Sequence, residues 1–311
     1  MTHSRAISSV SGTIPAAAAV PGELRVVATP IGNLADLSPR AREALATADV
    51  VAAEDTRHSA QLLRYLGLER PLVSLHEHNE AARVPALIAR LQAGENVALV
   101  SDAGTPLLSD PGAGLVGAAV AAGLRVTPLP GASALLAALC VAGLPAERFS
   151  FEGFLPAKTM ARRQALEALA NDTRTLVFYE APHRIVDTLS DALTAFGADR
   201  QAVVARELTK LHETVYRGSL GELVAMAPKE PNLARGEIVL LVQGHRPVAG
   251  GEVLPAEALR WLRILLPHLA PSRAAAVVAE GLGLRRQAVY TLALSLSSPE
   301  DPGDVLTDTV D

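Results

Sequence analysis

The chain has 311 residues, 49% of them hydrophobic, which is enough apolar material for the cores of two ordinary domains. A single cysteine, Cys140, excludes an internal disulfide framework and a thiolate zinc site, and its apolar helical setting predicts a buried small side chain. The net charge of −5 argues against a phosphate-binding surface spread over the whole molecule, but the charge is unevenly placed: residues 298–311 hold Glu300, Asp301, Asp304, Asp308 and Asp311 with no basic residue, whereas residues 255–297 hold five Arg against two Glu.

Residues 1–22, rich in Ala and Ser, lack the apolar stretch of a secretory signal, and no run approaches the roughly 20 apolar residues of a membrane span. A disordered extension on a cytoplasmic protein is expected. From residue 23 to 143 the pattern predicts an α/β domain. Its strands are Leu24 to Thr29, Val50 to Ala53, Leu72 to Leu75, Val97 to Val100 and Leu124 to Thr127, each followed by a helical stretch. Short apolar strands alternating with helices imply a mostly parallel sheet with right-handed crossovers. Asp110-Pro111 reads as the cap and first turn of the glycine-rich helix between the last two strands.

After Gly143-Leu-Pro145 the character changes. A second α/β domain, residues 144–246, has strands Phe149 to Gly153, Thr175 to Tyr179, Ala202 to Glu207, Glu213 to Arg217 and Gly236 to Val242. Some of these follow one another without a helix, so this sheet is mixed. Gly244 to Pro255 reads as a linker to a small helical module, residues 255–297, either a helix-turn-helix or a plain packing unit. The acidic end, 298–311, reads as a disordered tail.

Strand ends carry the chemistry. Ser101-Asp-Ala-Gly-Thr-Pro106 follows the fourth strand, and Pro130-Gly-Ala-Ser133 follows the fifth and opens a helix. Both offer small residues and hydroxyls where open α/β sheets bind ligands, so a small polar molecule is expected between them. Gly112-Ala-Gly-Leu-Val-Gly117 matches a dinucleotide fingerprint, but eleven residues separate it from Val100 and no acidic residue follows at the required distance, which excludes that reading. His76 and His78 have no third partner, so no metal site is expected. Asp55 with Arg57, Glu180 with Arg184, and Arg206-Glu207 with Lys210 close three strands with paired charges, and Lys158, Arg162 and Arg163 cluster on one predicted helix.

Six segments taken together, Pro30-Ile-Gly-Asn-Leu34, Ala53-Glu-Asp-Thr-Arg57, Ser101 to Pro106, Pro130 to Ser133, Tyr179-Glu-Ala-Pro-His-Arg184 and Ala205-Arg-Glu-Leu-Thr-Lys210, resemble the tetrapyrrole methylase superfamily over roughly residues 24 to 295. Within it they look like the branch that methylates the 2'-oxygen of a cytidine ribose in 16S rRNA. The resemblance implies a two-domain α/β enzyme, a homodimer, with S-adenosylmethionine in the cleft. It implies a cofactor site at Pro30, Gly32, Asn33, Ser101, Asp102, Ala103, Gly104, Thr105, Pro106, Pro130, Gly131, Ala132 and Ser133. The ribose hydroxyl must lose its proton, for which Asp55, Glu180, Glu207 and Lys210 are the candidate groups. Arg57, Lys158, Arg162, Arg184 and Arg206 are the expected phosphate contacts to 16S rRNA, within the small ribosomal subunit. Two other functions remain open: a methyltransferase of the same fold acting on a small tetrapyrrole, and an RNA-binding assembly factor without catalysis.

Overall fold

The computed structural model describes residues 20–246 and 254–297. The extension before residue 20, most of the Gly244 to Pro255 linker and the acidic tail fall outside the described residues. The described residues up to Gly244 form one compact unit and those from His245 a second.

The first sheet is wholly parallel: β1 (Glu23–Val27), β2 (Val50–Ala53), β3 (Leu72–Ser74), β4 (Val97–Val100) and β5 (Arg125–Leu129) lie in the order β3-β2-β4-β1-β5. β2 and β4 are buried throughout, as continuous apolar runs covered on both faces must be. Alternate residues serve opposite faces. Val51, Ala53, Ala98 and Val100 pack under α1 (Pro39–Ala46) and α2 (Thr56–Tyr65), while Val50, Ala52, Val97 and Leu99 pack under α3 (Glu80–Gln92) and α4 (Ala113–Ala121). β5 runs further than Thr127 because it is an edge strand, where Pro128 sacrifices no ladder hydrogen bond.

Two expectations fail in this half. Asp110 is not the cap of α4; the helix begins at Ala113, and Glu80 of α3 accepts from Gly112 N (3.3 Å) and Leu115 N (3.1 Å). Cys140 is exposed rather than buried, because α5 (Ala134–Ala142) turns Leu135, Ala138, Leu139 and Ala142 inward and Cys140 lies off that stripe.

The second sheet is mixed, with order β6-β7-β10-β8-β9: β6 (Phe149–Phe154) is parallel to β7 (Thr175–Glu180), and β10 (Ile238–Val242) runs antiparallel between β7 and β8 (Gln201–Arg206), with β9 (Thr214–Ser219) antiparallel at the edge. Leu176, Phe178, Val204, Leu240 and Val242 face α6 (Thr159–Ala168), α7 (Ile185–Phe196) and α8 (Leu220–Met226). Val177, Val203, Ala205, Val239 and Leu241 face α5. One helix of the first half thus seals the inner face of the second sheet, which brings the strand ends of the two sheets together.

The second unit is a three-helix module, α9 (Ala256–Leu265), α10 (Pro271–Leu282) and α11 (Arg286–Ser297), around Leu262, Ala275, Val278 and Val289. Gly283 ends α10 in the left-handed conformation and turns the chain into α11. Among the described residues no helix is long and apolar enough to cross a membrane.

Candidate active site

β1 and β4 are neighbours whose following connections leave in opposite directions, β1 toward β2 and β4 toward β5, so the sheet opens a crevice at their carboxyl ends. Three turns meet there. Thr29 N donates to Gly104 O (2.8 Å) and Gly104 N to Thr29 O (3.1 Å), tying the turn after β1 to the turn after β4. Thr105 Oγ1 donates to Ala132 O (3.0 Å), tying the second to the turn after β5. Gly104 has φ +84°, which a side chain would strain. The same segment holds Leu107 and Ser109 at φ +77° and +68°, left-handed positions that non-glycine residues rarely occupy.

A cavity of 380 Å³ lies over these turns, walled on one side by Ala103, Gly104, Thr105 and Asp110 and on the other by Phe154, Tyr179, Ala205 and Ile238 of the second sheet. Tyr179 is fixed by edge-on contacts with Phe151 and Phe154 and by accepting from the amide of Leu135 in the first turn of α5 (3.3 Å). Burial raises its phenol pKa. Burial likewise raises the carboxyl pKa of Asp110, with the Asp102 charge adding to the shift and a hydrogen bond to Ser101 opposing it. Ser133 is buried, and its hydroxyl makes no aligned hydrogen bond.

A second cavity of 340 Å³ adjoins the first and shares Ile31, Ala103 and Glu237 with it. Lys210 borders it, with Nζ 3.0 Å from Glu207 Oε1 and 3.1 Å from Glu237 Oε2. Burial works against the ammonium, but the two carboxylates outweigh it and raise the Lys210 pKa, so the side chain stays charged. Burial also works against the Glu207 carboxylate; donation from Glu237 N (2.9 Å) and from Lys210 overcomes this and lowers its pKa. Glu207 and Thr209 hold this loop with φ of +50° and +66°.

The residues singled out from the sequence divide into groups. Ala103, Gly104 and Thr105 wall the first cavity, and Pro30, Gly32, Ser101, Asp102 and Ala103 the second. Pro130, Gly131, Ala132 and Ser133 form the turn behind the first cavity without lining it; Asn33 caps a short 3-10 turn and Pro106 is buried. Asp55 caps α2 and pairs with Arg57 (2.6 Å), which lowers its pKa far below the usual range, and it lines neither cavity.

Four expected roles need correction. Glu180 reaches the first cavity, but its side chain is buried and engaged: it accepts from Thr188 Oγ1 (2.6 Å) and Ala181 N (2.8 Å) and stands 3.3 Å from Arg184 Nε in an ion pair without hydrogen-bond alignment. That makes it the anchor of the β7–α7 turn. Arg184 donates to Leu155 O (2.6 Å), bracing the end of β6, so it is not a phosphate ligand. Arg206 is buried and donates to Arg235 O (3.0 Å) and His212 O (2.8 Å). Arg162 is only 3% exposed and pairs with Asp191 of α7 at 2.7 Å, while Arg163 takes the other carboxylate oxygen at 2.7 Å. Arg57 and Lys158 are exposed.

Sequence reasoning missed Asp110, Tyr179, Phe154 and Glu237 as cavity residues; only the adjacency of Tyr179 to the Glu180 motif was a signal. Among the described residues no group of three or more His, Cys, Asp and Glu is placed to hold a metal ion.

A parallel sheet joined to a mixed one, with a cavity where their strand ends face, is an architecture found in solved methyltransferases. The methyltransferase CobJ superposes with TM-score 0.55 at 21% identity, covering 75% of this chain and 97% of that one. Diphthine synthase gives TM-score 0.55 at 18% identity, covering 72% and 90%. At such identities these likenesses establish the fold. The chain belongs to the tetrapyrrole (corrin/porphyrin) methylases, whose family model matches residues 23–224, and residues 252–297 match the model of the RsmI C-terminal HTH domain. Its relatives include proteins named ribosomal RNA small subunit methyltransferase I. That of Xylella fastidiosa (strain Temecula1) is 55% identical over 87% of this chain and 98% of its own length. That of Pseudomonas aeruginosa is 53% identical over 88% and 97%, and that of Escherichia coli O157:H7 is 50% identical over 88% and 95%.

Proposed function

We propose that this chain is an S-adenosylmethionine-dependent methyltransferase that modifies the 2'-oxygen of a cytidine ribose in 16S rRNA of the small ribosomal subunit. The carrying observation is identity of 50% to 55%, over nearly the full length of each relative, to proteins named for methylating small-subunit ribosomal RNA. The first cavity suits the cofactor. Its 380 Å³ falls within the usual range of small-molecule sites, and Gly104 leaves backbone open to close approach. Ala103, Gly104 and Thr105 would hold it, backed by the Pro130 to Ser133 turn.

When bound, S-adenosylmethionine supplies an electrophilic methyl group on a sulfonium, with a neutral thioether as leaving group. The protein's largest contribution is then to hold the ribose hydroxyl in line, worth about 7 to 11 kcal/mol of barrier. Phe154 and Tyr179 wall the cavity opposite the glycine turn and present apolar surface to whatever binds there. Glu237 borders both cavities, so its carboxylate takes the hydroxyl proton. Lys210, kept charged by Glu207 and Glu237, steadies the oxygen as negative charge develops.

The protein acts as a cytoplasmic homodimer in this reading; the exposed Leu136 and Val141 of α5 favour a covered face, and light scattering at micromolar concentration should give twice the chain mass. The deciding experiment maps 2'-O-methyl groups in rRNA from cells with and without the gene. Loss of one cytidine 2'-O-methyl in 16S rRNA on deletion, restored by the gene, is the expected result. An unchanged map sinks the proposal.

A further inference from the structure

The second cavity plays no part in cofactor binding as proposed, and its walls differ from those of the first. One wall is a single face of α2. His58, Gln61 and Tyr65 stand at i, i+3 and i+7 along it, and all three are exposed. Tyr65 is 65% exposed and belongs to no core cluster, although the whole chain has only 4 Tyr, 5 Phe and 1 Trp. A large ring left mostly exposed along a cavity wall, in a protein so poor in aromatics, contributes little to folding there. Lys210 and Asp102 also line it. Asp102 is exposed, and its Oδ1 accepts from the N-cap of α2, Asp55 N (3.0 Å), which orients the carboxylate at the start of that helix.

The geometry points to the second cavity as the pocket for the target nucleotide, extruded from the RNA, its base stacked on Tyr65 and its exocyclic amino group donating to Asp102. This rests on the function proposed above and names the residues that select the base. The 2'-hydroxyl itself can be reached without unstacking, but selecting one cytosine calls for its base to be read, and unpaired bases splayed out of an RNA are held on aromatic faces and read along their pairing edges. Cytosine offers its amino group as a donor, which a carboxylate accepts; uracil offers an oxygen at the same position, which a carboxylate repels. Ile31, Ala103 and Glu237, common to both cavities, place the ribose of such a nucleotide beside the proposed cofactor site.

The test is steady-state methylation of small ribosomal subunits prepared from cells lacking the gene, beside calorimetric S-adenosylmethionine binding to the same variants. Tyr65→Ala raises KM for the subunits about tenfold or more, Tyr65→Phe restores it, and cofactor affinity and melting temperature stay unchanged. Asp102→Asn narrows the preference for subunits carrying cytidine over those engineered with uridine at the target position. Wild-type KM in Tyr65→Ala, or loss of cofactor affinity in it, overturns the inference while the wild-type protein still methylates. A wild-type protein inactive on these subunits overturns the proposed function and this inference with it.

Discussion

The stem of Lys210 occupies the space where a side chain at position 32 would stand, so Gly32 and Lys210 form one unit across the second cavity. Gly32 has φ +149°, and a Cβ there meets Lys210 Cγ and Cε. Gly32→Ala therefore displaces the ammonium from Glu207 and Glu237. A displacement of about 1 Å at a reacting site lowers turnover roughly a hundredfold. The measurement is kcat beside cofactor affinity: kcat falls and affinity holds. Equal loss of both would place Gly32 in the cofactor site instead.

Glu237 carries a different burden from Glu207, although both hold Lys210. Glu237 is the more exposed carboxylate and the one that borders both cavities. Glu237→Gln keeps the size and removes the proton acceptor, so kcat falls by about 10² to 10⁴ with little change in KM. A Glu237→Gln variant with wild-type kcat shows that another group takes the proton.

Gly104→Val brings a branched side chain against Ile31 Cγ2, 3.3 Å from the Cβ position, in a backbone conformation that branched residues resist. Calorimetry should find S-adenosylmethionine binding abolished or weakened at least tenfold, while circular dichroism finds the fold kept. Undiminished affinity in the folded variant removes this turn from the cofactor site.

Most of the sheet architecture was legible because β2, β4, β7 and β10 are short apolar runs whose alternate residues serve two covered faces. What sequence could not supply is pairing across long separations. Arg162 has the spacing of an exposed helical residue, and only the approach of α7, which brings Asp191, explains its burial. Asp110-Pro111 has the composition of a helix cap, yet Glu80 caps α4 from 32 residues away, measured to Gly112, and frees Asp110 for the cavity. The glycine turns were recognisable because small, polar and turn-forming residues directly follow short apolar strands; the second-sheet wall was not, since Phe154 and Ile238 look like any strand residues.

The Asp191 pair gives a pH prediction. Burial disfavours the Asp191 carboxylate, but the Arg163 and Arg162 hydrogen bonds prevail and its pKa is lowered. A group with a lowered folded pKa stabilises above its unfolded value, near 3.9, and this stabilisation is lost as pH falls through the folded pKa. Asp191→Asn leaves Arg162 buried without its charge partner and costs about 3 to 5 kcal/mol at neutral pH. Thermal melts between pH 7 and pH 2 should show the variant less stable at pH 7 and with a shallower acid decline, since it lacks this titration. Parallel curves for the two proteins would mean that the pair does not contribute.

The grip on RNA is the last consequence, and it shifts away from Arg162, Arg184 and Arg206, whose guanidinium groups are spent inside the protein. Arg57 is 88% exposed at its side chain, Lys158 stands exposed at the start of α6, and in the helical module Arg260, Arg263, Arg273 and Arg286 are exposed. A phosphate contact releases counterions, so each lost contact lowers the salt slope of RNA binding by about one unit. Arg57→Gln and Lys158→Gln should each do so and leave cofactor affinity unchanged, because neither lines the first cavity. The ion pair of Arg57 with Asp55 does not oppose this, since an exposed pair is worth little more than about 1 kcal/mol. Arg162→Glu behaves otherwise: it sets a second buried carboxylate against Asp191, so the variant loses its fold before any slope can be read. Filter binding of small subunits across a salt series, beside a melt of each variant, separates the two outcomes. A stable Arg162→Glu with a reduced slope would return that residue to the RNA face, and unchanged slopes at both Arg57 and Lys158 would move the whole phosphate contact to the module.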